Sequence, residues 1–385
     1  MRGYRIAVIG SRGIPAMYGG FETFAQELTP RLVERGHDVT VYCRSGYTTE
    51  RLDAYRGVRL IYTPAVRIRT IEQLSHEFSS IVDSIPRRFD LYYFLGYRGA
   101  PFYVPLRLSK RLVIVNTDGL EWKRRKWSAL GRAYLKAAER IAVYAGSDAL
   151  VSDAQAIRQS FLQRFGKDSA YLTNGAYTFT READLPPDAL AEWDLEPDSY
   201  YLVACRIEPE NNIDLIVEGF IESGSQRTLV IAGGMNYETP YWRRLQALAA
   251  GANVRFLGPV YGGSRIEHLH LGAFGYLHGH EVGGTNPALL KAMGCGNLVL
   301  ALDTPFNTEN AADTGRYWSK GDGSLARLIR WADEHVDEAR ALGMRARDRI
   351  TTDYSWDSVA DAHDAFFRLR AAEHGLRPSA RRRET

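Results

Sequence analysis

Residues 278–296 read His278-Gly-His-Glu-Val-Gly-Gly-Thr-Asn-Pro-Ala-Leu-Leu-Lys-Ala-Met-Gly-Cys-Gly296. The stretch leaves an apolar run, Gly275-Tyr-Leu-His278, crosses a glycine loop and enters a helical pattern. Asn286 is a good helix N-cap and Pro287 a good first helical residue. A strand that feeds a helix through a short loop is the unit of a parallel sheet covered on both faces. The pattern recurs upstream and downstream. Tyr200-Tyr-Leu-Val-Ala-Cys205 reads as a strand, followed by a helix through Ile213, Leu215, Ile216 and Phe220. Further strands are expected at Thr228–Ala232, Asn253–Leu257 and Leu298–Leu302.

The first half has the same grammar. A strand at Ile6-Ala-Val-Ile9 runs into the loop Gly10-Ser-Arg-Gly-Ile-Pro-Ala-Met-Tyr-Gly-Gly20. Phe21, Phe24, Ala25, Leu28 and Leu32 then form one stripe at helical spacing, and Gly36 is placed to end that helix. Strands follow at Asp38–Cys43 and Leu112–Val115. The fold class is therefore α/β, with two Rossmann-like parallel-sheet domains expected at 1–182 and 199–354. The polar, proline-bearing stretch 183–198 is the expected linker. A C-terminal helix near 355–373 is expected to return to the first domain, and 374–385 reads as a disordered basic tail. Two such sheets imply a cleft at their carboxyl ends, where open α/β folds bind ligands.

Composition narrows the function. A net charge of +3 is too small to imply nucleic acid as a partner. Cys43, Cys205 and Cys295 are far apart, without metal-ligand spacing, and read as reduced, buried thiols. No apolar run approaches the ~20 residues of a membrane span, and Met1 leads into a strand without a signal segment. A cytoplasmic chain with no metal and no cofactor is expected.

Four features carry chemistry. The helix N-terminus at Asn286, with its free N–H groups and positive dipole end, suits a diphosphate, and Gly283 and Gly284 permit close approach to the backbone. An ordinary strand-to-helix turn is the alternative. Arg206, at the end of the strand Tyr200–Cys205, offers a guanidinium for phosphate oxygens, or else a rim ion pair with Glu208 or Glu210. Asp118, in Asn116-Thr-Asp-Gly-Leu-Glu-Trp122, is placed either to take a proton from an acceptor or to make an Asx turn. The segment holding Glu121, Trp122, Lys123, Arg124, Arg125 and Trp127, continuing through Arg140, is basic with interleaved aromatics. It reads as a contact for an anionic membrane or a lipid-diphosphate acceptor, or as a solvated helix face.

Together, "GSRGIPAMYGGFETFAQEL", "NTDGLEWKRRKW", "CRIEPENN" and "HGHEVGGTNPALLKAMGCGN" resemble glycosyltransferase family 4, of GT-B fold, and within it a subgroup of bacterial rhamnosyltransferases of surface-polysaccharide assembly. The resemblance implies metal-independent transfer with retention of anomeric configuration. The implied donor is a nucleoside-diphosphate sugar, with dTDP-rhamnose favoured, and the acceptor a glycan or a lipid-diphosphate-linked glycan. It places Gly19 and Gly20 near the phosphates and acceptor and Arg206 on the diphosphate. His280, Gly283, Gly284, Thr285 and Asn286 fall around the donor, and Glu281 on the donor sugar. Asp118, Glu281 and Arg206 are the expected catalytic set. Two positions depart from the family. Asn211 stands where a lysine usually partners the arginine, and Lys291 replaces the glutamate that usually holds the ribose. Counting eight residues back from Lys291 reaches Gly283 rather than Glu281. Lys291 is accordingly a candidate for the missing phosphate cation. The basic segment adds an expected peripheral contact with the inner face of the plasma membrane.

Other readings of the same pattern are an NADP-dependent oxidoreductase, a nucleotide-sugar epimerase and a noncatalytic scaffold. Gly10, Gly13, Gly19 and Gly20 do not make a GxGxxG loop, and Cys43-Arg44 lacks the acidic residue that would bind an NAD ribose.

Overall fold

The computed structural model describes residues 3–378, apart from 18, 49, 69–70, 118, 124–126, 235–237 and 261–263. It divides into two compact units, one of residues 1–174 and 356–385, the other of 175–355.

The first unit is built on eight strands: β1 Arg5–Ile9, β2 Asp38–Arg44, β3 Ala54–Tyr55, β4 Val58–Thr63, β5 Leu91–Leu95, β6 Leu112–Asn116, β7 Ala149–Ser152 and β8 Ala170–Tyr171. Their order is β3-β4-β2-β1-β5-β6-β7-β8, and the pairing is parallel except between β3 and β4. The central strands β5 and β6 are buried at every residue, which is why their sequences run apolar without alternation. Winding reverses direction between β1 and β5, and the glycine loop after β1 opens at that switch point.

The second unit has six parallel strands: β9 Tyr200–Ala204, β10 Thr228–Ala232, β11 Val254–Gly258, β12 Gly275–His278, β13 Leu298–Leu302 and β14 Gly315–Trp318. The order β11-β10-β9-β12-β13-β14 puts its switch point between β9 and β12. These two strands pair only at Gly275↔Tyr201 and Tyr276↔Leu202. Beyond that register Val203 and Ala204 run on opposite Leu277 and His278 outside the ladder, and the Tyr276 hydroxyl donates to the Ala204 carbonyl at 3.2 Å. The sheet thus opens at its carboxyl end where the two site loops leave it.

The boundary differs from the expected linker. The chain passes between units at 174/175, and residues 183–198 belong to the second unit. Leu190, Trp193 and Leu195 are buried in its core. The polar and proline residues of this stretch are its solvent side, while the apolar residues spaced among them anchor it. The last helix, Trp356–Glu373, belongs to the first unit, where Trp356, Val359 and Phe367 share a core with Phe24, Leu28 and Tyr93. His37 fixes that packing. Its Nδ1 accepts from the Tyr4 N–H at 3.1 Å, so the proton sits on Nε2, which donates to Asp364 at 2.6 Å. Residues 379–385 of the expected tail lie outside the described residues.

Candidate functional site

At the β9/β12 switch point two loops are stitched together. The Asn212 amide donates to the Gly279 carbonyl at 2.8 Å and to Glu281 Oε2 at 3.3 Å, and the Glu281 N–H donates to the Glu210 carbonyl at 3.1 Å. Gly279 permits this closeness, because a Cβ there would lie 2.3 Å from the Asn211 carbonyl oxygen. Arg206 leaves β9 beside this seam with its side chain 66% exposed, ion-paired to Glu208 at 3.4 Å. The rim ion pair, one of the two sequence readings of Arg206, is thus present. It is mostly in water and weak, of order 0–1 kcal/mol, so an anion can displace Glu208.

The helix Pro287–Gly294 begins as its sequence suggests, with Asn286 Oδ1 accepting from the Ala288 N–H at 3.0 Å. Gly283 has φ +157 and nothing within 4 Å of a Cβ position, so space remains beside the loop. Thr285 is buried and Gly284 half-buried. The ring of His280 stacks on that of His278, with centroids 4.4 Å apart and planes 9° from parallel. Burial drives the His278 pKa well below its ordinary value and keeps that imidazole neutral. Asn307 holds the turn, donating to the His280 and Leu302 carbonyls at 3.1 and 2.9 Å.

Three expected donor residues have partners within the unit. Asn211 is buried, and its amide donates to the Arg206 carbonyl at 2.7 Å, so it shapes the loop where the family's lysine would extend a charge. Lys291 ion-pairs with Glu267 on the helix Arg265–Gly272, so its ammonium is spent within the unit. Glu281 is gripped by Asn212 and by Lys320, whose Nζ lies 2.8 Å from Glu281 Oε1. Lys320 was not singled out in the sequence. It lies two residues past β14, a short strand with exposed Arg316, and an unrecognised strand gives no reason to inspect the loop after it.

In the first unit, Gly19 and Gly20 are exposed at the start of the helix Gly20–Glu34. Gly19 has φ +114, and a Cβ there would lie 2.0 Å from Glu22 Oε2. Glu22 folds the loop back, its Oε1 accepting from the Arg12 N–H at 2.9 Å. Beneath the loop, Gln73 donates to the Gly10 carbonyl at 2.7 Å, and the Tyr103 hydroxyl lies 2.8 Å from Glu77 Oε2. Burial pushes the Glu77 carboxyl up to about 7. Asp118, Arg124 and Arg125 lie outside the described residues.

The basic aromatic segment is not the continuous helix expected. A single 3₁₀ turn, Glu121–Lys123, precedes a helix Ala129–Ile141 capped by Ser128. The aromatics are engaged internally. Trp122 donates to Glu139 at 3.3 Å beneath Lys136 and Arg164, and Trp127 donates to buried Glu121 at 3.2 Å. Buried carboxylates at Glu121 and Glu139 turn the indoles inward, whereas Lys123 is exposed. The three cysteines are free, with their thiols raised by burial to about 11 or 12.

Comparison with known proteins falls on the same division. Residues 191–349 match the family of glycosyl transferases group 1, and residues 4–177 match a domain of unknown function, DUF1972. No curated protein matches the chain in sequence. Among solved structures, sucrose-phosphate synthase from Thermosynechococcus elongatus superposes with a TM-score of 0.78 at 18% identity, covering 96% of this chain and 100% of that one. HepE from Anabaena, in complex with UDP-glucose, gives 0.75 at 15% identity, covering 95% and 100%. WaaG, a glycosyltransferase involved in lipopolysaccharide biosynthesis, gives 0.70 at 15% identity, covering 93% and 99%. The fold is GT-B. With a group 1 glycosyl transferase domain on the second unit, it supports a glycosyltransferase of GT-B type.

Proposed function

We propose that the protein is a retaining glycosyltransferase that moves L-rhamnose from dTDP-rhamnose to a glycan or lipid-diphosphate-linked acceptor in bacterial surface-polysaccharide assembly, working at the inner face of the plasma membrane. One observation carries the donor class: an exposed arginine, Arg206, and a capped helix N-terminus at Asn286 flank the switch point of the unit that matches the group 1 family. That HepE holds UDP-glucose in a like fold supports a nucleoside-diphosphate sugar as donor. The sugar, the retention and the pathway rest on the four motifs shared with the rhamnosyltransferase-like subgroup.

In this reading the acceptor hydroxyl attacks the anomeric carbon from the side of the departing diphosphate. A C–O bond to the acceptor forms as the bond to the β-phosphate oxygen breaks. The acceptor proton passes to Asp118 or to the leaving phosphate. Arg206 and the N–H groups around Gly284–Asn286 meet the negative charge that builds on the diphosphate, the point where fixed dipoles help most. Thermal shift against a panel of nucleoside diphosphates tests donor binding. Proton NMR of the product made from dTDP-rhamnose tests sugar and stereochemistry together. Turnover solely with another sugar nucleotide removes the rhamnose assignment, and an inverted anomeric centre removes the mechanism.

A further inference from the structure

The first unit carries an apolar groove of about 340 Å³ between the helices Glu72–Ser84 and Ala100–Leu108. Phe78, Val82, Ile85, Pro105 and Leu106 line it, with Arg111 at one end. Its rims project into solvent: Phe78 is 51% exposed, Val82 50%, Ile85 55% and neighbouring Leu108 79%. Large apolar side chains are seldom left standing together in water without a surface to meet. The charges around this end are mainly positive. Arg87, Arg88 and Lys110 are exposed. Arg111 reaches the Phe89 carbonyl at 3.1 Å, which ties the two cationic turns to each other. Opposing them, Asp83 is held by Arg87 at 2.7 Å, Asp90 accepts from the Arg5 N–H at 2.8 Å, and Glu72 pairs with Arg44 at 2.7 Å.

We propose that this face is the protein's docking surface for an anionic lipid bilayer, a reading that deepens the membrane part of the proposed function by placing it here instead of on Trp122–Trp127. Charge complementarity chooses the occupant. Protruding aliphatic and aromatic tips enter the boundary between headgroups and acyl chains, while long basic side chains at the helix ends stay with the phosphates. Among the described residues of Trp122–Trp127 both indoles are turned inward and donate to carboxylates within the unit, and in the helix that follows Leu130 is the one strongly exposed large aliphatic side chain among the described residues.

The test is co-sedimentation of the full chain with vesicles of phosphatidylglycerol and phosphatidylcholine in equal parts, and with phosphatidylcholine alone. The expected result is binding to the anionic vesicles that weakens in high salt. Phe78→Glu with Val82→Glu lowers it roughly tenfold or more, and Arg88→Glu with Lys110→Glu does likewise. Near-UV circular dichroism and nucleoside-diphosphate affinity stay unchanged in all variants, which separates failure of docking from failure of the donor assignment. Absence of binding to anionic vesicles overturns the proposal. So do equal binding to neutral ones, binding indifferent to both pairs of variants, or a Phe78→Glu/Val82→Glu chain that falls from dimer to monomer in sedimentation.

Discussion

Arg206 and Lys320 sit at the same switch point with different work to do. A charge-assisted contact to a phosphate contributes about 1.5–3 kcal/mol, so Arg206→Ala is expected to weaken nucleoside-diphosphate binding roughly ten- to a hundredfold, read by titration calorimetry. Lys320 holds Glu281 rather than the helix end. Lys320→Met is therefore expected to leave nucleoside-diphosphate affinity within about twofold while raising the KM for the sugar nucleotide severalfold, because a freed Glu281 no longer presents one geometry to sugar hydroxyls. An equal loss for both ligands would place Lys320 on the phosphates instead. Gly279→Ala pushes a Cβ onto the Asn211 carbonyl and so separates the stitched loops. Its expected effect is a loss of nucleotide binding comparable to Arg206→Ala. Arg206 and Asn286 were legible in the sequence because a strand end and an Asn-Pro cap fix where they stand. The partners of Lys291 and Glu281 were not, since each is chosen by an element distant in sequence, Glu267 and Lys320 respectively.

Burial alone did not decide which strands were legible: β5 is buried at every residue yet is not among the expected strands, whereas half-buried β11 is. β1, β6, β9, β10, β12 and β13 fall on largely apolar runs, and β2 on an apolar stretch interrupted by Thr40. Harder to see were β4, broken by Arg59 and backed by solvent, and β14, with exposed Arg316. The helix Trp356–Glu373 shows how an apparently exposed amphipathic segment acquires a core role through one buried histidine. His363 donates from Nδ1 to the Val359 carbonyl at 2.8 Å, and its Nε2 accepts from the Tyr93 hydroxyl at 3.3 Å. Burial lowers its pKa to about 4. The unfolded chain takes up a proton below the ordinary value near 6.5, whereas the folded one does so only near 4. Stability that is present above pH 6.5 is thus lost as the pH falls through that window, by up to about 2–4 kcal/mol at pH 4. His363→Gln is expected to cost stability at pH 7 yet flatten the fall between pH 6.5 and 4, checked by urea midpoints across that range. Glu77, raised to about 7, acts oppositely and favours the folded state toward acid. An unaltered acid slope in His363→Gln would assign the sensitivity to another buried group, His76 or His37.

At the scale of the whole chain, the first unit is assembled from two separated segments, 1–174 and 356–385. Cutting after Ser355 removes Trp356, Val359 and Phe367 from a core they share with Phe24 and Tyr93. Each such side chain contributes about 1.5–3 kcal/mol when buried, and together they rival a domain's whole stability of about 5–15 kcal/mol. Calorimetry of the truncated chain is expected to lose the transition of the first unit and keep that of the second. Retention of both transitions would show that the helix is dispensable. Division at 174/175 was invisible in composition because the polar residues of 183–198 cover an anchored segment, while the true crossing carries no signal of its own. The same discontinuity sets an order of events at the ribosome. The segment coded first emerges with Phe24 and Tyr93 uncovered, and it must wait for the whole of 175–355 to be translated before its closing helix appears, roughly ten to forty seconds at usual elongation rates. The half coded second is therefore the first to be finished, and for that interval the nascent amino-terminal half is a client for whatever chaperone waits at the exit tunnel.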